Sequence, residues 1–234
     1  MKENIDSKNI GNRKFIIELR YDSKVTMLDV KGALVEKIQE TGVFPYSHWE
    51  IGQSNVSVRD AKQKEDSLNI ALVTLNRINF ISYKIDSVES FYANFVKIYD
   101  AIIKVLGQLS ITRIGCRIIG TYKSKSIDYK DVLKNFQNSF PAAFLLEKYP
   151  AKDLLFNLTY ENGMYQIGPV DANDDFYMRE FDVPNCNKHV GIAIDTDNYL
   201  TNETREINDK SLIKEVYMLS LSVEKDLYSN LKDF

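Results

Sequence analysis

A strand pattern near the middle of the chain constrains the fold more than any other segment. Residues 111–119 alternate in character, and successive residues of a strand point to opposite faces of a sheet. One face receives Ile114, Cys116 and Ile118, and the other receives Arg113 and Arg117. The pattern therefore predicts a sheet with one buried face and one face that carries arginine.

Helix and strand patterns alternate through the first half of the chain. They predict strands at 14–21, 48–51, 55–58, 68–75 and 78–85, and helices at 27–42 and 87–107. With the strand at 111–119, this order resembles a ferredoxin-like sandwich, in which helices cover one face of an antiparallel sheet and the first and last strands are neighbours. The other face is then expected to bring together four charged residues, Glu18, Arg20, Arg113 and Arg117.

The second half of the chain predicts a further set of strands and a long final helix. Strands are predicted at 142–149, 154–160, 164–170, 176–181 and 189–195. The final helix begins near Asn208 or Asp209, and its apolar stripe consists of Leu212, Val216, Leu219, Val223, Leu227 and Leu231. We expect this stripe to pack on its own sheet, and a helix that forms a homodimer is the alternative.

These patterns predict an α+β protein with two ferredoxin-like halves, whose antiparallel sheets are backed by helices. Pro141, which follows a short predicted helix at 129–136, marks the boundary between the halves. We therefore expect a loose N-terminal segment at 1–13, a first domain at 14–140, and a second domain at 141–234 that ends in the long helix.

Charge and hydrophobicity exclude several classes of function. The formal net charge of −3 gives the protein no general attraction to the phosphates of nucleic acid or to anionic lipid. The sequence lacks the roughly 20-residue apolar run that a membrane span needs, and its first residues lack the apolar core of a signal peptide. We therefore expect a cytoplasmic protein that does not bind membranes.

Motifs for cofactor binding are missing from the sequence. Its glycines form neither a dinucleotide-binding loop nor a phosphate-binding loop. Cys116 and Cys186 have neither the number nor the spacing of a disulfide framework or a zinc site. His48 and His189 stand in no context that pairs a histidine with a serine or cysteine nucleophile. We therefore expect no cofactor, and a non-enzyme is favoured over an enzyme.

The four charged residues of the arginine-bearing face form the first candidate site. Two guanidinium groups on a sheet would clamp a carboxylate or a phosphate in a fixed fork geometry. Opposite charges on neighbouring strands are also ordinary on a solvated sheet, and they can fix how two halves pack. Glu18, Arg20, Arg113 and Arg117 are therefore candidates for ligand or partner binding, with a charged ladder or a packing contact as the alternatives.

The second candidate site is the Asp-X-Asp motif of Asp195 and Asp197. Two carboxylates on one face at the end of a strand have the spacing that holds a divalent cation, which would suit phosphoryl transfer or nuclease chemistry. A third carboxylate would come from Asp171, Asp174 or Asp175. The alternative interpretation is turn chemistry, because Asp side chains in loops hydrogen-bond to their own backbone.

Three short motifs carry a resemblance to a family. They are Ile17-Glu18-Leu19-Arg20-Tyr21-Asp22, residues 112–119, and residues 192–199 before the final helix. On these motifs the chain resembles a sporadically distributed family of bacterial and archaeal proteins of similar length, whose members have no characterised activity. The chain departs from the family pattern at Thr196, where an aliphatic residue is usual, and in a shorter middle region. The sporadic distribution of this family is typical of accessory genes that move between genomes, such as defence or toxin-antitoxin genes. The resemblance itself implies a family and no activity.

The predicted function follows from these exclusions. We expect a non-catalytic subunit or sensor of a prokaryotic system that binds another protein, with a partner encoded in the same operon as the simplest case. A first alternative is an RNA-binding module that uses the sheet face around Arg113 and Arg117, although the acidic balance of the chain argues against it. A second alternative is a metal-dependent phosphoryl-transfer enzyme or nuclease that uses Asp195 and Asp197.

Overall fold

The computed structural model describes residues 8–61, 68–83, 87–139, 153–183, 186–202 and 210–231. In this part of the chain, nine strands form one sheet with antiparallel ladders. The strands are Ile10–Tyr21 (β1), His48–Ile51 (β2), Asn55–Arg59 (β3), Asn69–Thr74 (β4), Arg77–Ser82 (β5), Ile111–Lys123 (β6), Phe156–Tyr160 (β7), Gly163–Val170 (β8) and Gly191–Thr201 (β9). Their order across the sheet is β2-β3-β4-β5-β1-β6-β9-β8-β7.

The described residues also form five α-helices and one short 3-10 helix at Val25–Leu28. The α-helices are Lys31–Gln39 (α1), Val88–Leu106 (α2), Tyr129–Asn138 (α3), Asp175–Glu180 (α4) and Ser211–Ser229 (α5). Residues at both ends of α2 explain where it begins and stops. At its start, the Ser87 hydroxyl accepts a hydrogen bond from the Ser90 backbone N–H at 3.0 Å. At its end, Gly107 has a φ of 74°, which a glycine adopts easily. This helix was predicted from its capping residues and its apolar stripe, and the prediction is confirmed.

The chain divides into two compact units, which are described separately. Unit 1 contains residues 1–14, 117–198 and 219–234, and unit 2 contains residues 15–116 and 199–218. The predicted domain boundary at residues 140 and 141 lies outside the described residues, so the division at that point stays a prediction. Of the segment predicted to be loose, residues 8–13 are described, and β1 already begins at Ile10.

The strands were expected to form two separate sheets, and the described strands form one sheet instead. β6 has β1 as one neighbour and β9 as the other, so the strands predicted for the two halves of the chain join in a single order. The sequence pattern predicts strands individually, whereas the pairing depends on long-range contacts that periodicity does not encode.

The core of unit 2 lies on one face of its strands. Phe15, Ile17, Leu19 and Tyr21 alternate along β1 and are all buried, as their spacing predicted. Phe80 stacks on Phe91 of α2 with 5.1 Å between ring centroids, which ties the sheet to that helix. Because the aromatic residues of β1 and β5 point to this face, the charged residues between them point to the opposite one.

The core of unit 1 is built around Tyr122, Val132, Phe136, Ile167, Ile192 and Ile194. The part of α5 that belongs to this unit departs from the predicted apolar stripe, because Leu219 is 47% exposed whereas Ser220 and Glu224 are buried. Glu224 is accommodated because it accepts a hydrogen bond from Arg13 Nε at 3.1 Å and another from the Tyr122 hydroxyl. The buried face of this segment is therefore partly polar.

The structure corrects one predicted strand of the second half, and another falls outside the part of the chain that it describes. Residues 176–181 were predicted as a strand, but most of them form α4, because Asp174 caps this helix by accepting a hydrogen bond from the Phe176 backbone N–H at 2.7 Å. The predicted strand at 142–149 lies outside the described residues. In the part of the chain that is described, no helix is long and apolar enough to cross a membrane.

Candidate functional site

The structure distributes the predicted arginine cluster over the two units. Glu18, Arg20 and Arg113 belong to unit 2, and Arg117 belongs to unit 1. Each group has its own set of ion pairs within its unit. The four residues that the sequence predicted as one cluster therefore take part in two separate sets of ion pairs.

In unit 2, Glu18 is the centre of the cluster. Its carboxylate accepts hydrogen bonds from Arg20 Nε at 2.7 Å and from Arg113 Nη1 at 2.9 Å, and Arg77 Nε lies 3.4 Å from the other oxygen. The Glu18 side chain is 17% exposed, whereas those of Arg20 and Arg77 are 47% and 41% exposed. The cluster therefore has a half-buried carboxylate at its centre and exposed guanidinium groups beside it.

Arg77 was missing from the predicted site. It lies opposite Arg20 in the register of β1 and β5, and the sequence shows it only as part of a short hairpin turn. A correct pairing of β5 with β1 would have brought it into the cluster, because directly opposite residues share one face of the sheet.

Aliphatic side chains share the sheet face of this cluster. Ile16 lies opposite Ile81, which lies opposite Ile70, and in the next row Glu18 lies opposite Asn79, which lies opposite Leu72. We call the face formed by Ile16, Glu18, Arg20, Ile70, Leu72, Arg77, Asn79, Ile81 and Arg113 the arginine face. It combines charge with partly buried apolar surface.

Aromatic rings are nearly excluded from the arginine face. Phe15, Tyr21 and Phe80 are buried on the opposite face. On the described strands of unit 2, Tyr199 is the aromatic residue that accompanies the cluster, and the guanidinium carbon of Arg113 lies 4.8 Å from its ring centroid. The row of stacking rings expected for an RNA-binding sheet is not found on these strands.

In unit 1, Arg117 and Asp195 form a bidentate ion pair. Arg117 Nε donates to Asp195 Oδ1 at 2.9 Å, and Nη2 donates to Oδ2 at 2.6 Å. Nη2 also lies 3.7 Å from Glu180, which in turn lies 3.4 Å from Lys14 Nζ. The hydrogen bonds that Arg117 donates to Asp195 raise the pKa of Arg117. Burial lowers the pKa of Lys14, although Glu180 opposes that change.

The Asp-X-Asp motif lies inside β9 rather than at its end, because the strand continues to Thr201. Asp195 and Asp197 share one face, as predicted, but both oxygens of Asp195 accept hydrogen bonds from Arg117. Asp174, a candidate for the third ligand, caps α4. The residues that the structure describes contain no group of three or more His, Cys, Asp or Glu side chains placed to hold a metal ion.

A cleft of about 350 Å³ opens beside this ion pair. Its walls include Arg117, Asp195, Asp197, Asn157 and Gln166. Two of these residues are hydrogen-bonded to each other, because the Gln166 side-chain amide donates to Asn157 Oδ1 at 2.9 Å. Leu158, Met164 and Tyr165 also line the cleft, so its wall is mixed in character, and Arg117 and Asp195 in this wall are paired with each other.

The histidines and cysteines do not form a nucleophilic pair. Cys116 is buried, and burial raises the pKa of the half-buried Cys186 thiol, which disfavours the reactive thiolate. His189 packs against Tyr177, whose hydroxyl donates to the His189 carbonyl at 2.7 Å. The contacts of His189 are those of a partly buried histidine that packs against an aromatic ring.

No protein-family model matches the sequence, and no curated protein matches it. The resemblance inferred from the three short motifs therefore stays a prediction.

Proposed function

We propose that the protein is a non-catalytic interaction subunit or sensor that binds a second protein through the arginine face. The observation that carries the proposal is the pair Arg20 and Arg77, which lie opposite each other on neighbouring strands and share the carboxylate of Glu18. Both side chains are more than a third exposed, at 47% and 41%. One carboxylate does not neutralise two guanidinium groups, so this part of the face presents positive charge.

The neighbours of these arginines favour an acidic protein surface as the partner. Ile16, Ile70 and Ile81 add apolar area beside the charge, and interfaces between proteins combine such area with arginine at their centre. Recognition of single-stranded RNA relies instead on aromatic rings that stack on bases. The preferred partner therefore supplies carboxylates for Arg20 and Arg77 and aliphatic side chains for the isoleucines.

A ferredoxin-like core for unit 2 is part of the proposal. Its support is the chain order β1, α1, β4, β5, α2, β6, in which the first and last strands are neighbours in the sheet and β2 and β3 are additions at one edge. The strands that follow β6 in the chain have the order β6-β9-β8-β7 in the sheet. This order does not support a second ferredoxin-like core. The cytoplasmic, prokaryotic and defence-associated setting rests on the sequence and its resemblance alone.

The proposal is tested by affinity purification of the tagged protein from its native host, with identification of both proteins and nucleic acids. The test variant carries Arg20→Glu and Arg77→Glu, which reverse the exposed charges of the cluster. The matched control carries Lys130→Glu and Lys134→Glu on α3, where both lysines are exposed. The control changes the net charge by the same amount on a helix of unit 1, at residues that are not part of the arginine face.

We expect a stoichiometric acidic protein to co-purify with the wild type and the control, and to be lost from the arginine variant. RNA that co-purifies with the wild type and is lost from the arginine variant would support the RNA-binding alternative instead. Equal recovery of a protein partner by all three forms would refute binding through the arginine face.

A further inference from the structure

β7 is the outermost strand on one side of the sheet, among the strands that the structure describes. Its residues, Phe156–Tyr160, include no charged residue and no proline. Leu158 is 41% exposed and Tyr160 is 67% exposed. Natural proteins protect sheet edges with charges, prolines or bulges, because an uncovered edge offers its backbone to another strand. β7 therefore has the features of a strand that pairs with another chain.

The strand at the other side of the sheet differs in this respect. β2 carries Glu50, whose side chain is 62% exposed and forms an ion pair with Arg59 on β3. A charge on an edge strand discourages pairing with a further strand. The contrast marks β7 as the edge suited to association.

The hairpin register fixes which backbone groups of β7 point away from β8. Tyr160 pairs with Gly163 across a two-residue turn, in which Glu161 has a φ of 47°. The residues that close such a turn form a hydrogen-bonded pair, and hydrogen-bonded and non-hydrogen-bonded pairs alternate along an antiparallel ladder. Asn157 and Thr159 therefore direct their backbone N–H and C=O groups outward.

We propose that β7 pairs with β7 of a second copy of this chain, antiparallel and about a two-fold axis at Leu158. In this register, Asn157 faces Thr159 of the second copy on both sides of the axis, so the outward backbone groups of both residues form hydrogen bonds. Leu158 faces itself in a non-hydrogen-bonded pair, where side chains approach most closely. Phe156 faces Tyr160 of the second copy, which is a favourable aromatic pair.

Charge makes a second copy a suitable occupant of this edge. Strands that meet about a two-fold axis present identical side chains to each other, so a charged residue near the axis would repel its own counterpart. β7 is neutral throughout. The nearest charged residues on either side, Asp153 and Glu161, lie outside the five residues of β7. A two-fold pairing also uses the edge of both copies, so the assembly closes as a dimer.

The test is the mass of the full chain in solution, measured by light scattering after size-exclusion chromatography. We expect the wild type to have twice the mass of the 27.0 kDa chain at micromolar concentration. Leu158→Lys and Leu158→Glu should each weaken the dimer at least about tenfold, because each places like charges opposite each other. An equimolar mixture of the two variants should restore the dimer, since opposite charges then meet at the axis.

Two further variants distinguish loss of the dimer from loss of folding. Thr159→Pro removes an outward N–H group without touching a hydrogen bond to β8, and it should give a folded monomer. Ile51→Lys places the same charge on the other outer strand, where Ile51 is 44% exposed, and it should leave the dimer intact. Circular dichroism establishes that each variant is folded.

Three results would overturn the proposal. They are a wild type that stays at 27.0 kDa at all concentrations, a dimer that Leu158→Lys does not weaken, and a mixture of the two charge variants that stays monomeric. The arginine face does not enter this test, so its outcome is independent of the proposed partner binding.

Discussion

Arg117 holds the carboxylate of Asp195 with two hydrogen bonds, at 2.9 Å to Oδ1 and 2.6 Å to Oδ2. This contact joins two residues that the sequence assigned to different candidate sites. A cation would have to compete with the guanidinium group for both oxygens of Asp195. The pairing therefore favours a structural role for Asp195 over metal binding.

The first prediction concerns divalent metals. Because Asp195 is engaged by Arg117, we expect Mg²⁺ and Mn²⁺ at about 5 mM to leave the Tm of the wild type unchanged, since a ligand that binds the folded state would raise it. Thermal unfolding with and without each metal is the measurement. A metal-induced rise in Tm that disappears in the double variant Asp195→Asn, Asp197→Asn would restore the enzyme alternative.

The second prediction concerns the buried carboxylate of Glu224, which is 1% exposed. Arg13→Met removes its charged partner and should lower the free energy of unfolding by about 3–5 kcal/mol, because an uncompensated charge stays buried. Lys37→Met, at the exposed ion pair with Glu40, should cost less than about 1 kcal/mol. Urea unfolding of the two variants measures the difference.

A double variant distinguishes this explanation from a simple loss of packing. Arg13→Met combined with Glu224→Leu removes both charges, so it should be more stable than Arg13→Met alone. If the second substitution only adds to the damage, the buried charge is not the cause.

The third prediction concerns pH and His189. Burial lowers the pKa of His189 below its ordinary value of 6.5, although the hydrogen bond to the Asn187 carbonyl opposes the change. The unfolded chain therefore takes up a proton at higher pH than the folded chain, so the free energy of unfolding should decrease as the pH falls below 6.5. His189→Gln should lose less stability than the wild type between about pH 7 and pH 5. Parallel profiles for the two proteins would contradict this account.

Local periodicity was sufficient to predict several elements. The alternation of β1 and the capped stripe of α2 depend on neighbours in sequence, and both are found where the pattern places them. The placement of Ile114, Cys116 and Ile118 on the buried face of β6 was predicted for the same reason, and all three are buried. These features need no knowledge of which strands pair.

Features that depend on pairing between distant segments could not be predicted. Arg77 joins the cluster through the register of β5 on β1, and Asp195 meets Arg117 across two strands that are far apart in sequence. Residues 176–181 were predicted as a strand because aromatic residues are common in strands. Most of them form the helix Asp175–Glu180, which Asp174 caps by accepting a hydrogen bond from the Phe176 backbone N–H.

The central claim is that the exposed positive charge of Arg20 and Arg77 binds an acidic partner. Its most direct test is the Kd of the purified complex as a function of salt concentration, for the wild type, the Arg20→Glu, Arg77→Glu variant and the Lys130→Glu, Lys134→Glu control. We predict that the arginine variant binds at least about tenfold more weakly and loses most of the salt dependence, whereas the control retains both. A Kd and a salt dependence that are the same for all three proteins would contradict the claim.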